Sequence, residues 1–372
     1  MPATAFADRP FLAIWEMTQA CDLVCKHCRA CADPQRDPLE LSSEDGRRLL
    51  DAIAEMGTPV VVLTGGDPAK RPDLVALVRH GTSRGLRMGL TPSATPLVTG
   101  ELLRALAGAG LARLAVSLDG LTAAQHDDFR GVPGSFDRTF EILRYARSLG
   151  ISTQVNTTVT RLNVRDLEAI ARSLVPFEIG LWSVFLVVPT GRATADDVVD
   201  AETVEEVLER LAELSRVVPF DVKTTAAPHF RRVLLEQRTK TADIVGVATG
   251  VDVDVDGIGR APRGVNDGAG LVFVSHRGEI FPSGFLPVSC GNVRTDDLAV
   301  VYRDHPFMRS LRDTEGLGGK CGDCEYRYVC GGSRARAHAT TGDAMAADPA
   351  CAYVPASTKR RLQTLLASRA GG

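Results

Sequence analysis

Phe11-Leu-Ala-Ile-Trp-Glu-Met17-Thr-Gln-Ala-Cys21-Asp-Leu-Val-Cys25-Lys-His-Cys28 is an apolar, strand-like run followed at once by three cysteines spaced C-x3-C-x2-C. The strand reading covers Phe11–Met17, which puts the cysteine loop at its C-terminal end. Further strand candidates follow at Pro59–Leu63, Arg87–Leu90, Arg113–Leu118, Ser152–Thr157 and Trp182–Val188. Between them, helical periodicity marks Ser43–Met56, Pro72–Arg84, Thr99–Ala109, Ser135–Leu149 and Val164–Leu174. Ser42 with Asp45 three places on is a helix-start signal, weaker than one with Glu or Gln. Repeated β-then-α units with short connections imply a parallel sheet with right-handed crossovers. The expected fold class is α/β: a partial (β/α)6 barrel of the TIM type, with its site at the C-terminal ends of the strands.

After Pro189-Thr190-Gly191 the pattern loosens. A helix is expected over Ala201–Ser215, an extended stretch over Asp221–Thr225 and a helix over Pro228–Gln237. Thr239–Gly270, rich in Asp and Gly, reads as a long loop. Leu271–Ser275 and Glu279–Phe281 read as a hairpin turning at His276-Arg277-Gly278. The remaining C-terminal region has too little apolar pattern to fold without a ligand. The expected division is a tail over 1–10, a barrel core over 11–200, bridging helices and a loop over 201–270, a small cluster-binding domain over 271–358 and a helix or tail over 359–372.

With 43 basic against 46 acidic residues and no basic tract, the chain is not built for nucleic acid or an anionic membrane surface. The start carries no cationic-then-apolar signal, and no run approaches the roughly 20 apolar residues of a membrane span. The expected location is cytoplasmic. There, clustered thiols more often hold metal or do redox work than form disulfides. They lie in two groups, Cys21, Cys25, Cys28 and Cys31 at one end and Cys290, Cys321, Cys324, Cys330 and Cys351 at the other.

Three thiolates in one tight loop can hold three irons of a [4Fe–4S] cluster and leave the fourth open to a ligand. Zinc sites prefer paired C-x2-C knuckles, so the spacing fits zinc poorly. Cys31 reads as a thiol outside the ligand set. The loop resembles the signature of the radical SAM superfamily, with His27 at the position that is usually aromatic. The resemblance implies that S-adenosylmethionine chelates the open iron and that one electron cleaves it to methionine and a 5′-deoxyadenosyl radical, which takes a hydrogen from substrate.

Other polar motifs end the later strands. Gly65-Gly66-Asp67 resembles the family's Gly-Gly-Glu, which holds the methionyl amino group, with Asp67 replacing Glu. Ser117-Leu-Asp119-Gly matches the family's S-x-D-G, making Ser117 and Asp119 candidates for the carboxylate or ribose. Asn156 is a weaker candidate. His126-Asp127-Asp-Phe-Arg130-Gly follows, and Arg130 suits a carboxylate because its guanidinium is a planar fork. Each of these can also be a turn or a solvated side chain; their shared placement is the argument. Thr91-Pro-Ser-Ala-Thr95 and Pro189-Thr-Gly-Arg192 complete the rim.

Cys321-x2-Cys324-x5-Cys330, with Cys351 beyond, supplies four thiolates that close one metal site, zinc or a fully ligated [4Fe–4S] cluster. The run looks like the SPASM extension of radical SAM enzymes, which implies iron–sulfur. It is closest in look to the haem-pathway members (haem d1 and alternative haem biosynthesis) that oxidise or remove tetrapyrrole propionates. Full SPASM domains hold two auxiliary clusters on seven cysteines; here Ser333 and Ser283 stand where further ligands would be expected. One auxiliary [4Fe–4S] cluster is therefore expected, with Cys290 a possible extra ligand. Arg334, Arg336 and His338 either meet substrate carboxylates, form a solvated helix or support the cluster. Asp252-Val-Asp254-Val-Asp256-Gly257 imitates a calcium loop, but Arg263 stands where that loop needs Glu.

The expected function is reductive cleavage of S-adenosylmethionine followed by oxidation or decarboxylation of a small molecule, tetrapyrrole being the lead. A ferredoxin- or flavodoxin-type electron donor is implied. The competing readings are a maturase acting on a ribosomally made peptide and a non-enzymatic zinc or iron–sulfur redox protein.

Overall fold

The computed structural model describes residues 6–245 and 265–360. In chain order it holds β1 (Leu12–Glu16), α1 (Ser43–Glu55), β2 (Val60–Thr64), α2 (Leu74–Ser83), β3 (Arg87–Leu90), α3 (Gly100–Gly108), β4 (Arg113–Ser117), α4 (Ala123–Arg130), α5 (Ser135–Ser148), β5 (Ser152–Val159), α6 (Leu167–Leu174) and β6 (Leu181–Leu186). Then come α7 (Ala201–Leu214), β7 (Asp221–Thr225), α8 (His229–Val245), β8 (Leu271–Val274), β9 (Glu279–Phe281), β10 (Gly291–Asn292), α9 (Leu298–Asp304), α10 (Pro306–Arg312), α11 (Gly319–Gly322) and α12 (Arg334–Thr341). The sheet order is β10-β9-β8-β1-β2-β3-β4-β5-β6-β7, with its two ends unpaired, so the barrel is partial.

Every pairing from β8 through β1 to β7 is parallel, while β9 and β10 add antiparallel. The parallel sheet is thus longer than the six strands expected. Asp221–Thr225 is a full strand on β6, and the hairpin β8–β9 is docked on the free edge of β1. The expected boundaries at 200 and 270 fall within this continuous sheet. Both added strands are short, and β7 buries none of its residues fully, so neither advertises itself through an apolar run.

Side-chain alternation explains the layers. On β2, Val61 and Leu63 are fully buried against the helices, whereas Val62 and Thr64 on the concave face are partly open. On β5, Val155, Thr157 and Val159 are buried and Gln154, Asn156 and Thr158 face the concave side. This period of two delivers polar groups to the lumen without disturbing the core. Helix α1 begins in a complete capping box: Ser42 Oγ accepts from Asp45 N (3.1 Å), and Asp45 Oδ2 accepts from Ser42 N (3.0 Å). Leu49, Leu50 and Ile53 bury its inner face, each contributing about 1.5–3 kcal/mol. Gly46 leaves room for Trp15, since a Cβ there would stand 2.5 Å from the indole ring.

Three elements depart from expectation. Helix α4 was read only as a polar run because just His126 and Phe129 are buried; the Thr122–Gln125 capping box was its available signal. Helix α8 continues to Val245, into the stretch read as loop, and the calcium-like run lies outside the described residues. The C-terminal region carries α9, α10 and α12 and a small apolar cluster of Val188, Leu286, Leu311, Ala335 and Ala344, so it has regular structure of its own. Among the described residues no helix is long and apolar enough to cross a membrane.

Because β8 covers the edge of β1, ending the chain at residue 264 exposes an unpaired edge strand beside the cysteine loop. Such a truncation is expected to aggregate on size-exclusion chromatography. A monodisperse product with the thermal midpoint of the full chain would show that the hairpin is dispensable to the barrel.

Candidate active site

The cysteine loop is seated by backbone from four directions. Cys21 N donates to Asp33 O (2.8 Å), and Val24 N and Lys26 N donate to Arg130 O and Phe129 O (both 3.0 Å) at the end of α4. Gly66 N and Asp67 N donate to Thr18 O (2.8 Å) and Ala20 O (2.7 Å), and Arg192 N donates to Cys28 O (2.9 Å). The paired glycines are explained by this seating. A Cβ on Gly65 would collide with Thr18 O, and one on Gly66 would meet Gln19 O and Ala20 O. What approaches these glycines is the chain's own loop.

The three thiols point to separate partners. Cys21 Sγ lies 3.2 Å from Ser93 Oγ, Cys25 Sγ lies 3.7 Å from Arg130 Nη1, and Cys28 Sγ lies 3.5 Å from Ala32 N. Burial pushes the Cys21 thiol above its ordinary value. Among the described residues no three His, Cys, Asp or Glu side chains stand at the spacing of a single metal ion's shell; in a [4Fe–4S] cluster each thiolate binds its own iron, so that spacing is not required of these three. Cys31 is exposed and lies outside this arrangement.

Around the loop the polar groups divide into satisfied and orphaned. Asp67 is fully buried and accepts from Thr95 Oγ1 (2.6 Å), Ala69 N (3.1 Å) and Ser93 N (3.4 Å). Burial nevertheless holds its carboxyl above the usual range. Asp119 is also buried. It pairs with Arg130 and accepts from Thr158 N (2.7 Å); burial opposes its charge, but Arg130 and the nearby histidines hold its pKa below the ordinary value. Arg130 therefore meets Asp119 and Cys25, with Nε left without a partner. His126 Nδ1 accepts from Asp119 N (3.1 Å), and Asp127 caps α5 through Phe136 N (2.8 Å) and Gly134 N (2.6 Å). His27 stacks on Phe129 at 4.4 Å, and burial, then Arg130, bring it down to about 4; its Nδ1 is buried and unpartnered. Arg192 Nε and Nη2 are likewise buried and unpartnered. Asn156 accepts from Gln154 (2.7 Å) on the concave face of β5, and Ser117 ends β4 half-buried. Orphaned nitrogens on His27, Arg130 and Arg192, all beside the cysteine loop, suit a polar, charged ligand such as S-adenosylmethionine.

Sequence reasoning passed over the brace behind this loop. Glu16, buried at the end of β1, pairs with Arg29 and lies 3.0 Å from His276 Nδ1 in the β8–β9 turn. His276 Nε2 faces Asp37 at 3.5 Å, and Arg29 lies over the Phe273 ring at 4.8 Å. Burial alone would raise Glu16, but Arg29 and His276 hold it below its ordinary value; burial alone would lower His276, but Glu16 and Asp37 hold it above 6.5. An acid inside an otherwise apolar strand was the available signal. Ser93 and Thr95 sat in a noted rim motif without being singled out.

A second thiol site lies in the C-terminal region. Cys321, Cys324, Cys330 and Cys351 line one small pocket with His229, Lys320 and Tyr353. Burial pushes Cys330 up to about 12 and Cys351 up to about 11, so four thiolates here need a cationic centre among them. Four thiolates on one pocket are the ligand set of a closed metal site such as a fully ligated [4Fe–4S] cluster. Cys290 instead packs in the main apolar core, where burial raises it to about 11. Ser333 Oγ caps α12 by accepting from Arg336 N (3.2 Å), and Ser283 Oγ accepts from Phe285 N (3.3 Å), so both serines do backbone work. Arg334 and Arg336 are buried rather than offered to a substrate. Arg334 donates to Ala344 O and Ala346 O (both 2.8 Å) and lies 3.8 Å from Cys321 Sγ. Arg336 pairs with Asp348 (3.1 Å) and donates to Ala226 O (2.6 Å). His229 Nε2 stands 3.1 Å from Asp348 Oδ2, out of line for a hydrogen bond.

The family description "Radical SAM superfamily" matches residues 15–174. The chain is 40% identical over 346 residues to the AdoMet-dependent heme synthase of Nitratidesulfovibrio vulgaris, covering 92% of each chain. It is 38% identical to the protein of that name from Methanosarcina barkeri, covering 94% of this chain and 99% of the relative. Among solved structures, Streptococcus suis SuiB bound to S-adenosylmethionine superposes with a TM-score of 0.70 at 18% identity, over 93% of this chain and 78% of that one.

Two substitutions test this geometry. His276→Gln is expected to cost about 1.5–3 kcal/mol at about pH 6. Because the folded pKa of His276 is raised, its contribution is complete below 6.5 and fades as pH rises through the folded value, so the gap from wild type should narrow as pH rises past that value. Chemical denaturation across an alkaline pH series checks this; a gap that widened with pH would refute it. Asp119→Asn leaves the Arg130 charge uncompensated and is expected to cost about 3–5 kcal/mol, read from the same denaturation curves.

Proposed function

We propose, from the premise that this chain belongs to the radical SAM superfamily, that it acts on a propionate side chain of a tetrapyrrole and converts it by oxidative decarboxylation. It is a radical SAM enzyme that uses S-adenosylmethionine and iron–sulfur clusters: the catalytic [4Fe–4S] cluster supplies the electron that cleaves S-adenosylmethionine to methionine and a 5′-deoxyadenosyl radical. Cys21, Cys25 and Cys28 are the proposed ligands of that cluster, and Cys321, Cys324, Cys330 and Cys351 those of one auxiliary cluster.

The roles of the other residues follow from their placement. Gly65 and Gly66 let the turn after β2 close on the cysteine loop, and Asp67 ties that turn to the loop after β3 through Thr95. Asp119 keeps Arg130 charged and fixed beside Cys25. His27 is held by its stack on Phe129 with Nδ1 buried and open to a partner. Ser117 and Asn156 furnish polar contacts on the concave face. The sheet and its helices exclude water from the space between these groups, so that the radical meets one substrate C–H bond.

The observation that carries the substrate reading is the four-thiol cavity, joined to the haem synthase likeness. Loss of a hydrogen atom from the propionate carbon next to the ring, followed by breakage of the bond to the carboxylate, yields a vinyl group, carbon dioxide and one electron. That electron needs an acceptor, and a closed auxiliary cluster can take it. A ferredoxin- or flavodoxin-type protein is the proposed donor for the first step.

Anaerobic reconstitution with iron and sulfide is expected to give about eight irons per chain, two four-iron clusters. With dithionite and S-adenosylmethionine it should release 5′-deoxyadenosine, and Cys25→Ala should abolish that release. With an iron porphyrin carrying propionates, mass spectrometry should find loss of 46 mass units (carbon dioxide plus two hydrogens) per converted side chain, roughly the balance of the step above. Release of 5′-deoxyadenosine without any change in porphyrin mass would refute the tetrapyrrole reading and turn attention to peptide substrates.

A further inference from the structure

The loop after β6 presents a guanidinium whose bonding is unfinished. Its backbone is fixed: Arg192 N donates to Cys28 O (2.9 Å), and Gly191, at φ 65°, is pressed against the carbonyls of Cys28 and Arg29 where no Cβ would fit. The side chain is anchored to the cysteine loop through that contact, yet Nε and Nη2 are buried without a hydrogen-bond partner. Those two atoms form one edge of the guanidinium. Their N–H bonds run parallel, and they match the two oxygens of a carboxylate side-on.

Neighbouring acids are already committed. Asp197 accepts from Thr194 N (2.8 Å) and Thr194 Oγ1 (3.2 Å), and Asp119 is taken by Arg130 and Thr158. Arg130 cannot offer the same edge, because its Nη2 is bonded to Asp119 and only Nε is open.

We propose that Arg192 is a carboxylate-binding residue at the mouth of the barrel. Two carboxylates can reach such a site, the methionyl carboxylate of S-adenosylmethionine and a propionate of the substrate; the second rests on the function proposed above. A fork fixed to the peptide after Cys28 would hold either one in register with the cysteine loop.

The test compares wild type with Arg192→Gln and Arg192→Lys, reconstituted anaerobically and matched for iron content and cluster absorbance. Dissociation constants are measured for S-adenosylmethionine alone by equilibrium dialysis. They are measured separately, by the shift of the main porphyrin absorption band, for a propionate-bearing iron porphyrin and for its methyl ester. Arg192→Gln should weaken one carboxylate ligand by about tenfold or more, the scale of a lost charge-assisted pair. Arg192→Lys should recover only part, because it keeps charge without the fork, and it carries the measurement if the Gln variant fails to load its cluster. Weakening confined to S-adenosylmethionine assigns the methionyl carboxylate; weakening of the acid porphyrin but not its ester assigns the propionate. Unchanged affinities for both ligands, or equal loss for acid and ester with S-adenosylmethionine unaffected, would overturn the proposal. A wild-type enzyme that binds no porphyrin overturns the substrate reading instead, and the S-adenosylmethionine measurement then decides Arg192 alone.

Discussion

The Glu16 carboxylate is the point on which the cysteine loop and the C-terminal hairpin both close. It stands at the end of β1, where the chain leaves the sheet to form the loop. Arg29, one residue beyond Cys28, returns to it, and His276 reaches it from the β8–β9 turn. A single buried acid thus ties the two ends of the loop together and to a strand pairing formed some 260 residues later in sequence. Buried ion pairs contribute little net stability, but removing one partner is severe because the other charge is left uncompensated. The arrangement is therefore better understood as specifying one position for the loop than as strengthening the fold.

A second buried acid does the same at the far side. Asp348, three residues before Cys351, accepts from Ser333 N (2.7 Å) and Ala350 N (3.0 Å) and pairs with Arg336. Burial alone would raise its pKa; Arg336 and then His229 hold it far below the ordinary value. Arg336 in turn donates to Ala226 O just beyond β7, so the cavity lined by four thiols is fastened to the C-terminal ends of the barrel strands. The two thiol sites are consequently held by one continuous sheet, the first on the loop after its interior strand β1 and the second against its β7 end.

The parts of this design that were legible in the sequence are those carried by local signals. Strands β1 to β6 and the helices between them other than α4 announce themselves through periodicity, and the cysteine spacing names the chemistry of the first loop. Ser42 and Asp45 form the capping box their spacing suggested. The illegible parts depend on pairings distant in sequence. Asp221–Thr225 gains its place only by docking on β6, and Leu271–Val274 only by docking on β1. Arg334 and Arg336 resemble surface cations until the carbonyls that bury them are known. Cys290 was indistinguishable from a ligand by spacing, and only its place in the core separates it from the other C-terminal thiols.

Asp67 shows how a departure from a family pattern can be absorbed. A Glu at this position would carry its carboxylate one methylene farther; the shorter Asp is used up locally, by Ala69 N, Ser93 N and Thr95 Oγ1. Its effect reaches the cysteine loop at second hand. Holding Ser93 in place lets that hydroxyl bond Gly66 O (2.8 Å) while lying 3.2 Å from Cys21 Sγ. The acid thus positions the turn that seats the cysteines, and the polar atoms left open to a ligand are found on His27, Arg130 and Arg192 instead. These nitrogens lie on the α4 and β6 sides of the loop, so the shorter acid leaves the unfinished bonding of the site on guanidinium and imidazole groups rather than on a carboxylate.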